Sequence, residues 1–162
     1  MMNAKYLALV LLTIFTATLV FGQESKCREI ARREYPGDSR MQEYTYDKQL
    51  AAARYMSSVS DYEVKKIALQ EYPADFSMQK YTYDKQLAAK NYLKSVRDSE
   101  VKKIATREYP SDFSMQKYTY DKQLSAKEYM NSMSYSSAKK EAIREYPNDY
   151  SMQKYTYDQL RR

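Results

Sequence analysis

The hydrophobic positions of this chain recur with the period of an α-helix. After residue 63, Val64, Ile67 and Ala68 stand at i, i+3 and i+4, which predicts a short amphipathic helix. The preceding residues, 60–63, read Ser-Asp-Tyr-Glu, a capping-box sequence that predicts Ser60 as the N-cap. Pro73 then ends the helix, because the residue before a proline is pushed out of the α region.

A longer helix is predicted next, from about Phe76 to Ser95, with Asp75 as its N-cap and no glycine or proline inside it. On a helical wheel its apolar residues form two separate stripes. The first stripe holds Met78, Tyr81, Thr82, Ala88, Ala89, Tyr92 and Val96, and the second holds Phe76, Tyr83 and Leu87. A surface helix needs only one stripe, so two stripes indicate packing against a partner helix on one side and a neighbouring repeat on the other.

The chain contains an internal repeat of 37 residues. Glu-Tyr-Pro occurs at 34–36, 71–73, 108–110 and 145–147, and Tyr-Thr-Tyr-Asp occurs at 44–47, 81–84, 118–121 and 155–158. Residues 64–100 and 101–137 are identical at 26 of 37 positions without a gap. Two helices in each copy predict an all-α fold in which tandem two-helix repeats stack as a short α-solenoid. The copies are predicted at about 27–63, 64–100, 101–137 and 138–162, with the last one truncated.

The first 22 residues are predicted to be a secretory signal peptide. Lys5 supplies a positive charge, residues 6–21 form an uncharged apolar run, and cleavage is expected after Gly22. The run is shorter than the roughly 20 residues that span a bilayer, so we expect membrane contact only before cleavage. The mature protein is then expected to be a single repeat domain, residues 23–162, that is secreted or periplasmic.

Composition excludes several kinds of chemistry. The chain has no His and one Cys, which excludes a His-dependent nucleophilic site and predicts neither a metal nor a cofactor. Cys27 occupies the position that Val64 holds in the next copy, so we expect a small buried hydrophobe and not a reactive thiol. The net charge of +6 comes from interspersed acids and bases, which is typical of a solvated helix surface and gives no basic arm for nucleic acid.

Tyrosine is the residue type with the most functional potential, with 19 copies. The two rings of Tyr-Thr-Tyr point about 200° apart on a helix, so they cannot share one surface. The first ring of each pair, at Tyr44, Tyr81, Tyr118 and Tyr155, is predicted to pack in the core. The second ring has two candidate roles, packing between copies or an exposed ladder that binds a ligand or partner together with Lys85 and Lys122. These second rings are Tyr46, Tyr83, Tyr120 and Tyr157.

One segment of each copy resembles a short unit of small exported bacterial proteins that have no assigned activity. In the second copy the matching residues are Pro73, Asp75, Phe76, Met78, Gln79, Tyr81 and Gln86, and the similarity covers about 15 residues per copy. The resemblance implies a bacterial, extracytoplasmic setting and no catalytic residues. The length of the helix pair also resembles tetratricopeptide arrays, although the small-residue signature of those repeats is absent.

The leading hypothesis is a non-catalytic exported repeat protein that acts as a binding or scaffolding module for an unknown protein or a cell-envelope glycan. The alternative is a glycan- or polyanion-binding envelope protein that uses the repeated Tyr and Lys residues. Exposure of Tyr83, Tyr120 and Tyr157 beside lysines favours the alternative, and burial of these rings weakens it. A third hypothesis is a hydrolase with a carboxylate pair, Glu34 and Asp47 or their copies.

Overall fold

The computed structural model describes residues 22–161, which form eight helices and no strand. Short and long helices alternate along the chain. They are α1 (22–34), α2 (Ser39–Ser58), α3 (Tyr62–Glu71), α4 (Phe76–Ser95), α5 (Ser99–Glu108), α6 (Phe113–Ser132), α7 (Ser137–Glu145) and α8 (Tyr150–Leu160). The all-α prediction is confirmed, whereas the predicted signal peptide lies almost entirely outside the described residues.

Each long helix begins after an aspartate. The side chain of Asp75 accepts a hydrogen bond from the backbone N–H of Met78 at 3.0 Å, and Asp112 does the same for Met115. A carboxylate in this position satisfies one of the four N–H groups that a helix leaves without a partner at its start. The predicted N-cap and the predicted bounds of the long helix in the second copy are both confirmed.

The short helix α3 begins one residue later than the capping box predicts. The N-cap of α3 is Asp61 and not Ser60, because its carboxylate lies 3.1 Å from the backbone N of Val64. In α5, Asp98 caps Val101 in the same way at 3.0 Å. The ionised carboxylate is a stronger acceptor than a serine hydroxyl, so it sets the helix start.

The chain divides into two compact units, with the boundary between Tyr83 and Asp84. In the N-terminal unit the core consists of Cys27, Ala31, Tyr46 and Ala53, with Leu50 and Phe76 packed against it. Cys27 is fully buried, as its alignment with Val64 predicts, and this burial raises the pKa of its thiol.

In the C-terminal unit, α6 packs against α5 and α8, and α8 packs against α7. One core cluster contains Leu93, Val101, Ala105 and Tyr120, and a second contains Met130, Ala142 and Tyr157. Each cluster joins one residue of a copy, Leu93 or Met130, to short-helix residues and a tyrosine of the following copy, so the core of this unit is distributed along the sequence repeat.

The predicted first stripe of α4 is confirmed at Thr82 and Ala89, which are buried, and is wrong at Tyr81 and Ala88. Tyr81 and Ala88 are exposed, and the buried positions include Gln79 and Gln86. The helical wheel places only apolar residues inside, but an amide can be buried when both of its ends are hydrogen-bonded. The buried side of α4 therefore includes the two glutamines, Thr82 and Tyr83.

Candidate binding surfaces

The second ring of each Tyr-Thr-Tyr pair is buried, so the prediction of an exposed ladder at these positions is wrong. The exposed fractions are 9% for Tyr46, 3% for Tyr83, 3% for Tyr120 and 4% for Tyr157. For the last three of these rings the cause is a recurring edge-to-face contact with a tyrosine near the end of the preceding long helix. Tyr55 and Tyr83 have ring centroids 6.1 Å apart, and Tyr92 and Tyr120 have centroids 6.2 Å apart.

The first ring of each pair is the exposed one, which contradicts the prediction that it packs in the core. Tyr44, Tyr81, Tyr118 and Tyr155 are 63%, 61%, 61% and 59% exposed. One helical turn later the first three copies carry an exposed lysine, at Lys48, Lys85 and Lys122. We use the name Tyr/Lys face for the exposed side of each long helix that carries these residues. The predicted sites Lys85 and Lys122 belong to it, but with the opposite tyrosine from the one expected.

A glutamine of each long helix holds the turn that precedes the same helix. Gln79 Nε2 donates to the carbonyl oxygen of Tyr72 at 2.7 Å, and Gln116 donates to that of Tyr109 at 2.6 Å. Equivalent bonds join Gln42 to Tyr35 and Gln153 to Tyr146. The tyrosine carbonyl is one of the acceptors that a helix leaves free at its end, so this glutamine ties the short helix to the long one.

A second glutamine joins each copy to the next. Gln86 Nε2 donates to Asp112 Oδ1 at 2.9 Å, and its Oε1 accepts the backbone N–H of Ser114 at 3.1 Å. The same two bonds link Gln49 to Asp75 and Ser77, and Gln123 to Asp149 and Ser151. We call Gln49, Gln86 and Gln123 the latch glutamines. Sequence reasoning left their role open, although their fixed spacing of 37 residues was the available signal.

A tyrosine, an aspartate and a lysine form a further contact between consecutive long helices. In the C-terminal unit the Tyr92 hydroxyl donates to Asp121 Oδ1 at 2.6 Å, and Lys117 lies 2.6 Å from Asp121 Oδ2. The Lys117 ammonium also lies 4.5 Å from the centroid of the Tyr92 ring. The hydrogen bond to Asp121 is the main cause that raises the pKa of Tyr92 to about 12. Tyr129, Asp158 and Lys154 repeat the arrangement in the following copy.

Lys127 binds two carboxylates at the start of α5. Its Nζ lies 2.9 Å from Asp98 Oδ2 and 2.7 Å from Glu100 Oε2. The N–H of Val101 and then Lys127 lower the pKa of Asp98, and Lys127 is the main cause of the lowered pKa of Glu100. The N-cap of α5 is therefore tied by charge to the long helix that follows.

The carboxylates considered for hydrolysis have structural partners in the last two copies. Asp121 and Asp158 bind a tyrosine and a lysine, as described above. Glu108 and Glu145 lie beside the tyrosines that follow them, and their negative charges raise the pKa of Tyr109 and Tyr146. Between residues 22 and 161, no group of three or more His, Cys, Asp or Glu residues could hold a metal ion.

None of the helices in the described part of the chain is both long enough and apolar enough to span a bilayer. Comparison of the chain with protein-family models, with curated proteins and with solved structures finds no match.

Proposed function

We propose that this chain is an exported, non-catalytic binding module that engages a protein partner through the Tyr/Lys face. In this proposal the four copies stack as a short α-solenoid, and each copy presents one part of the surface. The observation that carries it is the recurrence of an exposed tyrosine at the same helical position in all four copies, with a lysine one turn later in three of them.

The recurring contacts between consecutive copies support the stacked arrangement. A latch glutamine fixes the N-cap of the following long helix in the N-terminal unit, through Gln49, and twice in the C-terminal unit, through Gln86 and Gln123. In a solenoid each repeat contacts its neighbours by the same set of residues. In the fourth copy Leu160 stands 37 residues after Gln123, so no latch glutamine is present there to hold a further copy.

The chemistry of the Tyr/Lys face supports a role in partner binding. Tyrosine combines a large apolar ring with a hydroxyl, loses little conformational entropy on binding, and is enriched at energetically important positions of protein interfaces. Tyr118 makes none of the intramolecular ring contacts that hold Tyr92 and Tyr120. Its equivalents are exposed to a similar degree, so a partner of repeating structure can meet the same side chain in each copy.

Quantitative pull-down from envelope extract tests the proposal. A face variant with serine at Tyr44, Tyr81, Tyr118 and Tyr155 is compared with the wild-type protein and with a matched control, Tyr62→Ser with Tyr135→Ser. Tyr62 and Tyr135 are 77% and 79% exposed but lie off the face, so the control also removes exposed tyrosines. We expect one partner that the wild type and the control retain and the face variant loses. Retention of every captured protein by the face variant would contradict the proposal.

A second candidate function is binding of an envelope glycan by the same face. It is favoured by the spacing of Tyr118 and Lys122, which places an exposed ring four residues before an exposed ammonium. A sugar ring can stack on the tyrosine while an acidic substituent meets the lysine. Sedimentation with isolated cell-wall glycan, using the same two variants, separates the two candidates. Loss of glycan binding in the face variant, with no protein partner found, favours the glycan.

A further inference from the structure

The positive charge of the chain is unevenly distributed between its compact units. Residues 84–162 contain 16 of the 27 Lys and Arg residues and 11 of the 21 Asp and Glu residues, a net charge of +5. Residues 23–83 contain ten of each kind and are neutral. The C-terminal unit therefore carries the whole excess of positive charge that follows Gly22.

The acids of the C-terminal unit are largely engaged within the fold. Asp98, Asp112 and Asp149 cap helices, Asp121 and Asp158 bind Tyr and Lys, and Glu100 binds Lys127. Many of its basic residues have no such partner. An ion pair cancels one charge of each sign, so the net charge of +5 is carried by the basic residues that lie outside these pairs.

Three of these basic residues line one shallow hollow of about 430 Å³ on α5. The hollow is bounded by Lys102, Lys103 and Arg107, together with the hydroxyl residues Ser99 and Thr106, and no acid lines it. Among the described residues, none of the three cations has a hydrogen bond or an ion pair through its side chain. Of the two acids that flank the hollow in the sequence, Glu100 is held by Lys127 at 2.7 Å, and Glu108 directly follows Arg107 but does not line the hollow.

The other short helices do not repeat this arrangement. The residues of α3 that align with Thr106 and Arg107 are Leu69 and Gln70. In α7 they are Ile143 and Arg144, and Arg144 is paired with Glu141. Lys139 of α7 also donates to the backbone carbonyl of Met133 at 2.8 Å. The hollow on α5 is thus a feature of one copy, unlike the packing contacts, which recur.

We propose that the hollow on α5 binds acidic groups of an anionic polysaccharide. This inference rests on the proposed binding function and adds a second surface to it. A single small anion gains little from exposed ammonium groups, whereas a polymer can contact several cations of the hollow at once and gains through multivalency. Arg107 presents a planar fork that matches a carboxylate or a phosphate, and the two hydroxyls can bond to sugar oxygens.

The lining of the hollow favours a polysaccharide over other polyanions. Thr106 replaces the exposed Leu69 and Ile143 of the second and fourth copies, so the site lacks an apolar side chain that could enter a lipid layer. No aromatic ring lines the hollow to stack on a nucleobase. The hollow offers hydroxyl groups and cations as hydrogen-bond donors and has no aromatic or aliphatic anchor, so its chemistry fits a hydrated, acidic polysaccharide.

Fluorescence anisotropy with fluorescein-labelled polygalacturonate tests the proposal on the purified chain at low ionic strength. The α5 variant carries Lys102→Gln, Lys103→Gln and Arg107→Gln, and we expect its affinity to fall by about tenfold or more. The matched control, Lys65→Gln with Lys66→Gln, alters the aligned positions of α3 and is expected to change affinity by less than about twofold. Lys103→Glu alone serves as a second variant, at an exposed position where glutamate keeps a good helix propensity.

The outcomes separate this proposal from the one on the Tyr/Lys face. No polygalacturonate binding by the wild type, or equal losses in the α5 variant and the α3 control, overturns it. Tighter binding to duplex DNA or to phosphatidylglycerol vesicles, lost in the α5 variant, overturns the choice of a polysaccharide. Tyr118→Ser with Tyr155→Ser should leave polygalacturonate binding unchanged, so either proposal can fail while the other stands.

Discussion

Replacement of Gln86 by methionine should destabilise the fold by about 3 kcal/mol. Gln86 is 4% exposed, its Nε2 lies 2.9 Å from Asp112 Oδ1, and its Oε1 lies 3.1 Å from the backbone N of Ser114. A hydrogen bond to a carboxylate contributes about 1.5–3 kcal/mol, and a part-buried N–H left without a partner costs about 1–3 kcal/mol. Methionine keeps the length and flexibility of the side chain, so the substitution leaves little cavity and isolates the two hydrogen bonds.

The assay is guanidinium unfolding of the wild-type and variant chains, followed by far-UV circular dichroism. Lys85→Met is the matched control, because Lys85 is the adjacent residue on the same helix and is exposed. We expect the control to change the free energy of unfolding by less than about 0.5 kcal/mol. A loss below about 1 kcal/mol for Gln86→Met, or the same loss in both variants, would refute the latch as a stabilising link between copies.

Three further results are expected. Tyr92→Phe should lower the free energy of unfolding by about 1 kcal/mol at neutral pH, because the 2.6 Å hydrogen bond to Asp121 is lost. Tyr81→Phe, which changes an exposed ring, should have almost no effect in the same unfolding assay. Because the pKa of Tyr92 is raised from 10.0 to about 12 in the fold, its contribution to stability is present below pH 10 and is lost between pH 10 and 12. In an absorbance titration of the tyrosines, the wild type should show an ionisation near pH 12 that is missing in Tyr92→Phe. The pKa of Asp98 is lowered from its ordinary value of 3.8 in the fold, so its carboxylate stabilises the fold at pH values above 3.8. Stability should fall as the pH drops below 3.8. In acid titrations followed by circular dichroism, Asp98→Asn should make this fall less steep. Cys27 is fully buried with a raised thiol pKa, so an aromatic disulfide reagent should label it only after unfolding, and rapid labelling of the native chain, measured by mass spectrometry, would contradict its position in the core.

Local sequence signals predicted the helices well. The aspartate two residues after Pro73 and the absence of glycine and proline up to Ser95 define α4 to the residue. The alignment of Cys27 with Val64 predicted burial correctly, because identical positions of a repeat occupy equivalent environments. The first signal depends on contacts within a few residues, and the second depends on the alignment of the repeats. Both can be read from the sequence alone.

The identity of the exposed ring was not predictable by the same means. Tyr81 and Tyr83 are both large and amphipathic, and the wheel assigned Tyr81 to the core because it lies near other apolar residues. The actual choice depends on Gln79 and Gln86, whose hydrogen bonds allow amides to occupy the buried side and rotate Tyr81 outward. Those bonds join groups 7 and 26 residues apart, so they are consequences of packing and not of local pattern.

The stacking of the copies, on which the proposed binding surface depends, is tested most directly by thermal unfolding of residues 23–162 beside a fragment of the first two copies, residues 23–97. In a stacked array each copy is stabilised by its neighbours, so the fragment loses the links made by Gln86 and Gln123. We predict a single cooperative transition for the longer chain and a markedly lower melting temperature for the fragment, both followed by far-UV circular dichroism. Equal melting temperatures would show that the copies fold independently and would contradict the stacked arrangement.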